Sequence, residues 1–484
     1  RVLFRSHPHP DLRQQALLLC CGWSCAAQPF IDHSNPDLSA MTFLTMEPLE
    51  GVACLRRSAQ VTPDTRRGTV AGTASYQLQN TTGQEQTVAL GVTPGYTISN
   101  VRANGVEIPF SVSDYQEYNE AKLEVAIPAE EQVELTLEYG GFPQEDLPTM
   151  QGGKELSGEY LCLENAALSP RLMNVMPGED GYPATIEITL PAAMTVIPFC
   201  ASEAEVVAEH GDGTKTWRYE TNRAGGILYA GDYVREEIQA GGLTIDFYYG
   251  RKHQAVMEAA GAAEAVRAVM DYCAGHYGSL AFGDGERLKL IQSRVAGGGY
   301  AGDGASLLDE ADFTAHNLGD AGKGGGAAEV MIHELVHQWW GLGNMFDTSG
   351  PDSPWSAEGL TCYTTYRIVK ELYGGDYARE HYVDQWRGEV EDYYLNFYVR
   401  RPEYLEALPE AERLAISNSL SGMRQYSEMP LKILKAEELV GGEAAMDEIL
   451  YGLFNRELDP MYPYLTYQEF LDACGLTEED LTLD

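Results

Sequence analysis

Positive charge is scarce in this chain. Thirty-three lysines and arginines stand against 73 aspartates and glutamates in 484 residues, a formal net charge of −40. Such a balance argues against nucleic acid or an anionic membrane surface as a partner. Paired cysteines are also missing: nine cysteines are scattered with no Cys-x-x-Cys among them, which gives neither a metal knuckle nor a disulfide framework. The apolar run Ala16–Ala27 has only twelve residues, too few to cross a bilayer. It follows Arg13 and ends in Ala26-Ala27, the look of a signal-sequence remnant. The expectation is an exported or surface-attached protein, with membrane attachment through the N-terminal segment and a cytoplasmic location as the alternative. The glycine-rich stretch Ala296–Gly304 lacks a following Gly-Lys-Ser/Thr, so it does not form a nucleotide-phosphate cradle.

Two patterns divide the rest. From residue 41 to 250 the chain alternates apolar and polar residues in short runs: Thr69–Gln79, Glu85–Leu90, Ala121–Ile127, Gln132–Tyr139, Ala184–Pro191, Thr214–Glu220 and Leu243–Tyr249. This period predicts strands, with turns at Asn80–Gly83, Asn104-Gly105 and Gly140-Gly141. Several strands with little helix imply an all-β domain of two packed sheets. At His253 the period changes, and His253–Tyr277 reads as helix, followed by a strand at Leu288–Gln292. Thr364–Leu372 continues as helix, and the aromatic-rich stretch Trp386–Tyr398 reads as core packing. The expected fold class is α+β, with 1–40 a leader outside the folded core, 41–250 the all-β domain and 251–484 a mainly helical domain.

The helical half contains Glu329-Val-Met-Ile-His333-Glu334-Leu-Val-His337-Gln-Trp-Trp340. Histidines four residues apart on a helix share one face, one turn apart, and can hold one metal ion. Glu334 between them is placed to act on water rather than to bind the metal. This is the HExxH arrangement of zinc peptidases. Farther on, Glu358 opens a second helical segment and can supply a third ligand. Two histidines and a glutamate leave the fourth position of a tetrahedral zinc open, as catalysis requires.

These residues resemble the M1 aminopeptidases, whose pattern is HExxH followed by Glu inside Trp-x-x-Glu-Gly, here Trp355-Ser-Ala-Glu358-Gly359. Twenty residues separate His337 from Glu358, two more than in the family, and an insertion within Asp347–Asp352 accounts for them. The resemblance implies a β-saddle or sandwich domain ahead of a thermolysin-like catalytic domain, one zinc ion per chain held by His333, His337 and Glu358, and a peptide substrate. It implies Glu334 as general base. Tyr426, 68 residues beyond Glu358, takes the place of the tyrosine that stabilises the tetrahedral intermediate. The family's Gly-Ala-Met-Glu-Asn segment corresponds to Gly298-Gly299-Tyr300-Ala301-Gly302, an edge strand for the substrate backbone. Ala301 stands where the family has the glutamate that binds the free α-amino group; Asp303 is the nearby acid that a shifted loop would use instead.

The family's Pro-x-x-Asp-Glu-Pro segment is absent around Glu159–Asn165, and the long helical domain of many relatives is expected to be either missing or cut away after the short helix at Tyr467–Gly475. The glycine tract Ala321–Ala328 reads as a flexible rim or a plain loop. The implied activity is zinc-dependent peptide hydrolysis, aminopeptidase-like. An endopeptidase and a catalytically inactive peptide-binding module of the same fold stay open. The remaining histidines, among them His210, His253, His276, His316 and His381, read as surface or packing residues.

Overall fold

The computed structural model describes residues 46–483 apart from 116–119, 144–155, 179–182, 201, 222–226, 281–286, 295–298, 303, 311–325, 341–356 and 458–464. The described chain forms two compact units that meet in sequence at Val234 and Arg235.

The first unit is built from sheets. A nine-stranded sheet centres on Val52–Asp64, paired antiparallel with Thr69–Asn80 and parallel with Ala184–Pro191. A four-stranded sheet contains Gln86–Val92 between Glu120–Ile127 and Arg171–Leu172. The alternation seen in the sequence becomes alternating burial: Ala184–Pro191 places Ala184, Ile186, Ile188 and Leu190 inside. With Val61, Leu78, Leu90, Val125 and Leu137 these side chains form one continuous core drawn from both sheets. Asn104 and Gly105, both with positive φ (49° and 78°), turn the chain between Tyr96–Ala103 and Val106–Glu107, the Asn-Gly hairpin solution. Gly140 and Gly141, expected as a turn, instead end the strand Gln132–Gly141, opposite Ala71 and Val70. Their reason is close approach, because a Cβ on Gly140 would lie 2.6 Å from the Val70 carbonyl oxygen.

The second unit combines a five-stranded sheet with helices. From one edge to the other its strands are Tyr233–Ala240, Leu243–Gly250, Arg287–Ser293, Ala305–Asp309 and Gly299–Gly302. The three central strands are parallel, and Gly299–Gly302 runs antiparallel along the edge. The longer helices are α1 (Gln254–Ala260), α2 (Ala262–Tyr277), α3 (Gly326–Val336), α4 (Ala357–Tyr373), α5 (Asp384–Leu395), α6 (Glu410–Met423), α7 (Met429–Val440), α8 (Glu443–Phe454) and α9 (Tyr467–Cys474). The order, sheets first and helices after, is the expected α+β arrangement of a thermolysin-like peptidase fold. The stretch Trp386–Tyr398 departs from expectation. Trp386 and Val390 are buried, whereas Tyr394, Leu395 and Phe397 are exposed, so it is not a core segment throughout. None of the described helices is long and apolar enough to cross a membrane.

Two buried charged residues, Asp246 and Lys289, lie on adjacent strands of this sheet. Asp246, fully buried, accepts hydrogen bonds from Arg235 (2.9 Å) and Arg287 (2.8 Å). Burial alone would raise its pKa, but the two guanidiniums outweigh that and hold it below the ordinary carboxylate value. A depressed folded-state pKa contributes stability above the unfolded value of about 3.9 and loses it as pH falls through the folded value. Asp246→Asn is therefore expected to lower the urea midpoint at pH 7, with the difference from wild type shrinking below about pH 4. The cost should fall short of the roughly 3–5 kcal/mol typical of a broken buried pair, since both guanidiniums reach solvent.

Candidate metal centre

Helix α3 carries the first histidine, and its winding continues one turn further, where the His337 N–H donates to the His333 carbonyl at 3.2 Å. The apolar positions Met331, Ile332, Leu335 and Val336 are all buried, which fixes the rotation of the helix. Two buried tryptophans anchor its end. Trp339 Nε1 donates to the Gly278 carbonyl (2.8 Å) and Trp340 Nε1 to Thr364 Oγ1 on α4 (3.0 Å), while the Trp340 ring meets Tyr277 and Phe454 edge-on. Ser306, on a central strand, donates to the Glu334 carbonyl (3.0 Å) and accepts from Gln338 (3.3 Å), tying helix to sheet. Glu358 sits in the first turn of α4. Its neighbour Gly359 lies against α7, where a Cβ would come within 2.3 Å of Met429 Cγ; glycine lets the two helices close.

These anchors bring three donors together. His333 Nε2 lies 3.0 Å from Glu358 Oε2, His337 Nε2 lies 3.5 Å from the same oxygen, and the two Nε2 atoms are 3.1 Å apart. All three residues are buried, and they form a cluster able to hold a metal ion. His337 Nδ1 faces the Trp340 carbonyl (3.1 Å) and Thr361 Oγ1 (3.2 Å). An Nδ1–H donated to that carbonyl leaves Nε2 with its lone pair toward the cluster.

The electrostatics match. Burial works against the charged form of His337, yet Glu358 overrides it and lifts the pKa to about 9. Burial would raise Glu358, but His337 and His333 hold it well below the ordinary carboxylate range. His333, with burial dominant, is lowered. The three groups thus ask for a positive charge between them. Ligands at zinc bond lengths in a tetrahedron stand about 3.3 Å apart, so both the spacing and the two-histidine, one-carboxylate donor set fit zinc.

Glu334 is buried beside this cluster, and burial pushes its pKa up to about 8, with His337 lowering it and Glu358 adding to the rise. The backbone of the edge strand passes directly against it: a Cβ on Gly299 would lie 2.2 Å from Glu334 Cγ. Tyr426 comes to the same place, its ring stacked 6.4 Å from that of His333 at 21°. Ala301 is buried in the edge strand, opposite Ser306. Gly298, Asp303, Trp355, His316, the tract at 321–325 and the insertion at 347–352 lie outside the described residues, as does the leader at 1–40; Tyr300 is described as part of its strand only. His210, His276 and His381 bond to Thr216, Asp447 and the Tyr377 carbonyl.

Thr361, Ser306 and the two tryptophan anchors do not stand out in the sequence reading. Thr361 lies one turn beyond Glu358 on the same face of α4, the i, i+3 spacing, and that was the available signal.

No sequence-family profile matches the chain. Solved structures do. It has the fold of an M1 zinc metallopeptidase. That enzyme from Deinococcus radiodurans superposes with a TM-score of 0.51 at 16% identity, over 90% of this chain and 93% of that one. A mutant of it bound to a Tyr-Ser-Ala substrate gives 0.52 at 17% identity, over 90% and 96%. Yeast LTA4 hydrolase in complex with bestatin gives 0.54 at 13% identity, over 93% and 67%. At these identities the likeness carries the fold; the residues above carry the chemistry.

Replacing Thr361 by Val should weaken zinc binding about tenfold, the lower end for loss of a group that orients a histidine ligand, because the Trp340 carbonyl still holds His337. Chelator competition measures this.

Proposed function

We propose that this chain is a zinc-dependent metallopeptidase that hydrolyses peptide bonds, aminopeptidase-like in mode. One observation carries the reading: two imidazoles and a carboxylate converge within 3.0–3.5 Å of one another with a second buried carboxylate, Glu334, on the residue next to the first ligand. The shared fold, with a tripeptide bound in one relative's mutant, supports a peptide substrate.

A zinc ion held by His333, His337 and Glu358 supplies Lewis-acid activation of water and of the scissile carbonyl. Glu334 takes the proton of the attacking water and delivers it to the departing amine. A carboxylate whose proton affinity is raised by burial suits both transfers. Tyr426 donates a hydrogen bond to the developing oxyanion, an interaction stronger in the transition state than in bound substrate. The strand Gly299–Gly302, last in its sheet among the described strands, is the edge along which an extended peptide adds as another strand. Zinc-loaded Glu334→Gln should retain its metal while losing about 10²–10⁴-fold in turnover, the range of general acid–base catalysis. Undiminished turnover would overturn the assignment of Glu334.

A second reading, internal cleavage, is favoured by Ala301, whose methyl group cannot neutralise a substrate ammonium. Peptides with free and with acetylated amino ends, mapped by mass spectrometry after digestion, separate the two. Stepwise loss of single residues from the free peptides alone supports the aminopeptidase mode. Internal cuts in both sets support the endopeptidase.

A further inference from the structure

Between α6 and α7 the chain makes one π-helical turn, Arg424–Glu428. Such a turn holds one residue more than α-helical winding allows, and it is frequent at functional sites. Tyr426 is its middle residue. If the turn relaxed to α-helical winding, about 100° of rotation per residue would carry Tyr426 off the face it turns to His333.

Two contacts from neighbouring helices oppose that relaxation. Buried Ser427 donates to Glu389 Oε2 on α5 at 2.7 Å. Met429, the next residue, occupies the space left by Gly359, which directly follows the ligand Glu358. The turn is thereby held from α5 on one side and from the first turn of α4 on the other.

We infer that Ser427 and Glu389 form a positioning pair: their hydrogen bond keeps the π turn wound and so holds Tyr426 over the metal site. The inference rests on the oxyanion role proposed for Tyr426. Neither residue touches the reacting atoms; both act through the tyrosine.

The test uses the full chain with 3-fluorotyrosine placed at position 426, and reads both kinetics and fluorine NMR. Zinc-loaded Ser427→Ala should lose about tenfold in kcat, part of the 10²–10³ that one oxyanion donor supplies, with KM and zinc content unchanged. On a Tyr426→Phe background the same substitution should cost less than about twofold, since the group it positions is gone. In the metal-free protein, Ser427→Ala should shift or split the single fluorine resonance, and Ser427→Thr, which keeps the hydroxyl, should restore both resonance and kcat.

An equal loss on both backgrounds, or a resonance unmoved by Ser427→Ala, overturns the inference. If wild-type protein cuts no peptide, or Tyr426→Phe costs nothing while Glu334→Gln abolishes turnover, the catalytic reading fails instead. The fluorine resonance of the metal-free protein still decides whether the pair holds the ring.

Discussion

Three electron-pair donors at 3.0–3.5 Å in an apolar interior repel one another unless a cation or a shared proton lies among them. That constraint governs the second unit. Burying the cluster costs desolvation energy at every member, and the protein meets it by charge sharing: Glu358 stays ionised and His337 gains basicity. The anchors around the cluster make sense as the means of forcing it together. Trp339 and Trp340 pin the end of α3, Ser306 ties it to the sheet, and Gly359 lets α4 and α7 close behind the carboxylate. Each fixes a helix position rather than a ligand atom. Rigid elements, more than loops, hold such sites in register.

Polar groups buried away from the cluster follow a different rule. Arg367 on α4 meets Glu437 and Asp447, and Tyr363 donates to Glu437. There one guanidinium is shared between carboxylates of the protein itself, so the bonding is internal. It braces α4 against α7 and α8, and α4 is the helix whose opposite end carries Glu358.

What the sequence made legible follows from how local each feature is. The His333–Glu334–His337 spacing is a property of one helix turn, and Glu358 came into view from its place at a helix start. The strands of the first unit showed in their alternation because one face of each is buried. The misreadings concern features set by distant parts of the chain. Gly140-Gly141 has turn composition, yet its glycines answer to a neighbouring strand's carbonyl. Trp386–Tyr398 has core composition, yet α5 turns several of its aromatics outward. Thr361 and Gly299 matter through tertiary contacts that spacing alone does not show, and Tyr426 was marked only by family resemblance.

Gly299 has a bearing on how this site could change. At this position even a methyl group would run into Glu334. The edge strand and the proposed base therefore occupy the space as a unit. A side chain at position 299 would give a form in which the strand and Glu334 cannot both keep their places. Any change at position 299, by descent or engineering, must therefore move either the strand or the Glu334 side chain, so the bare glycine ties the edge of the sheet to the proposed base.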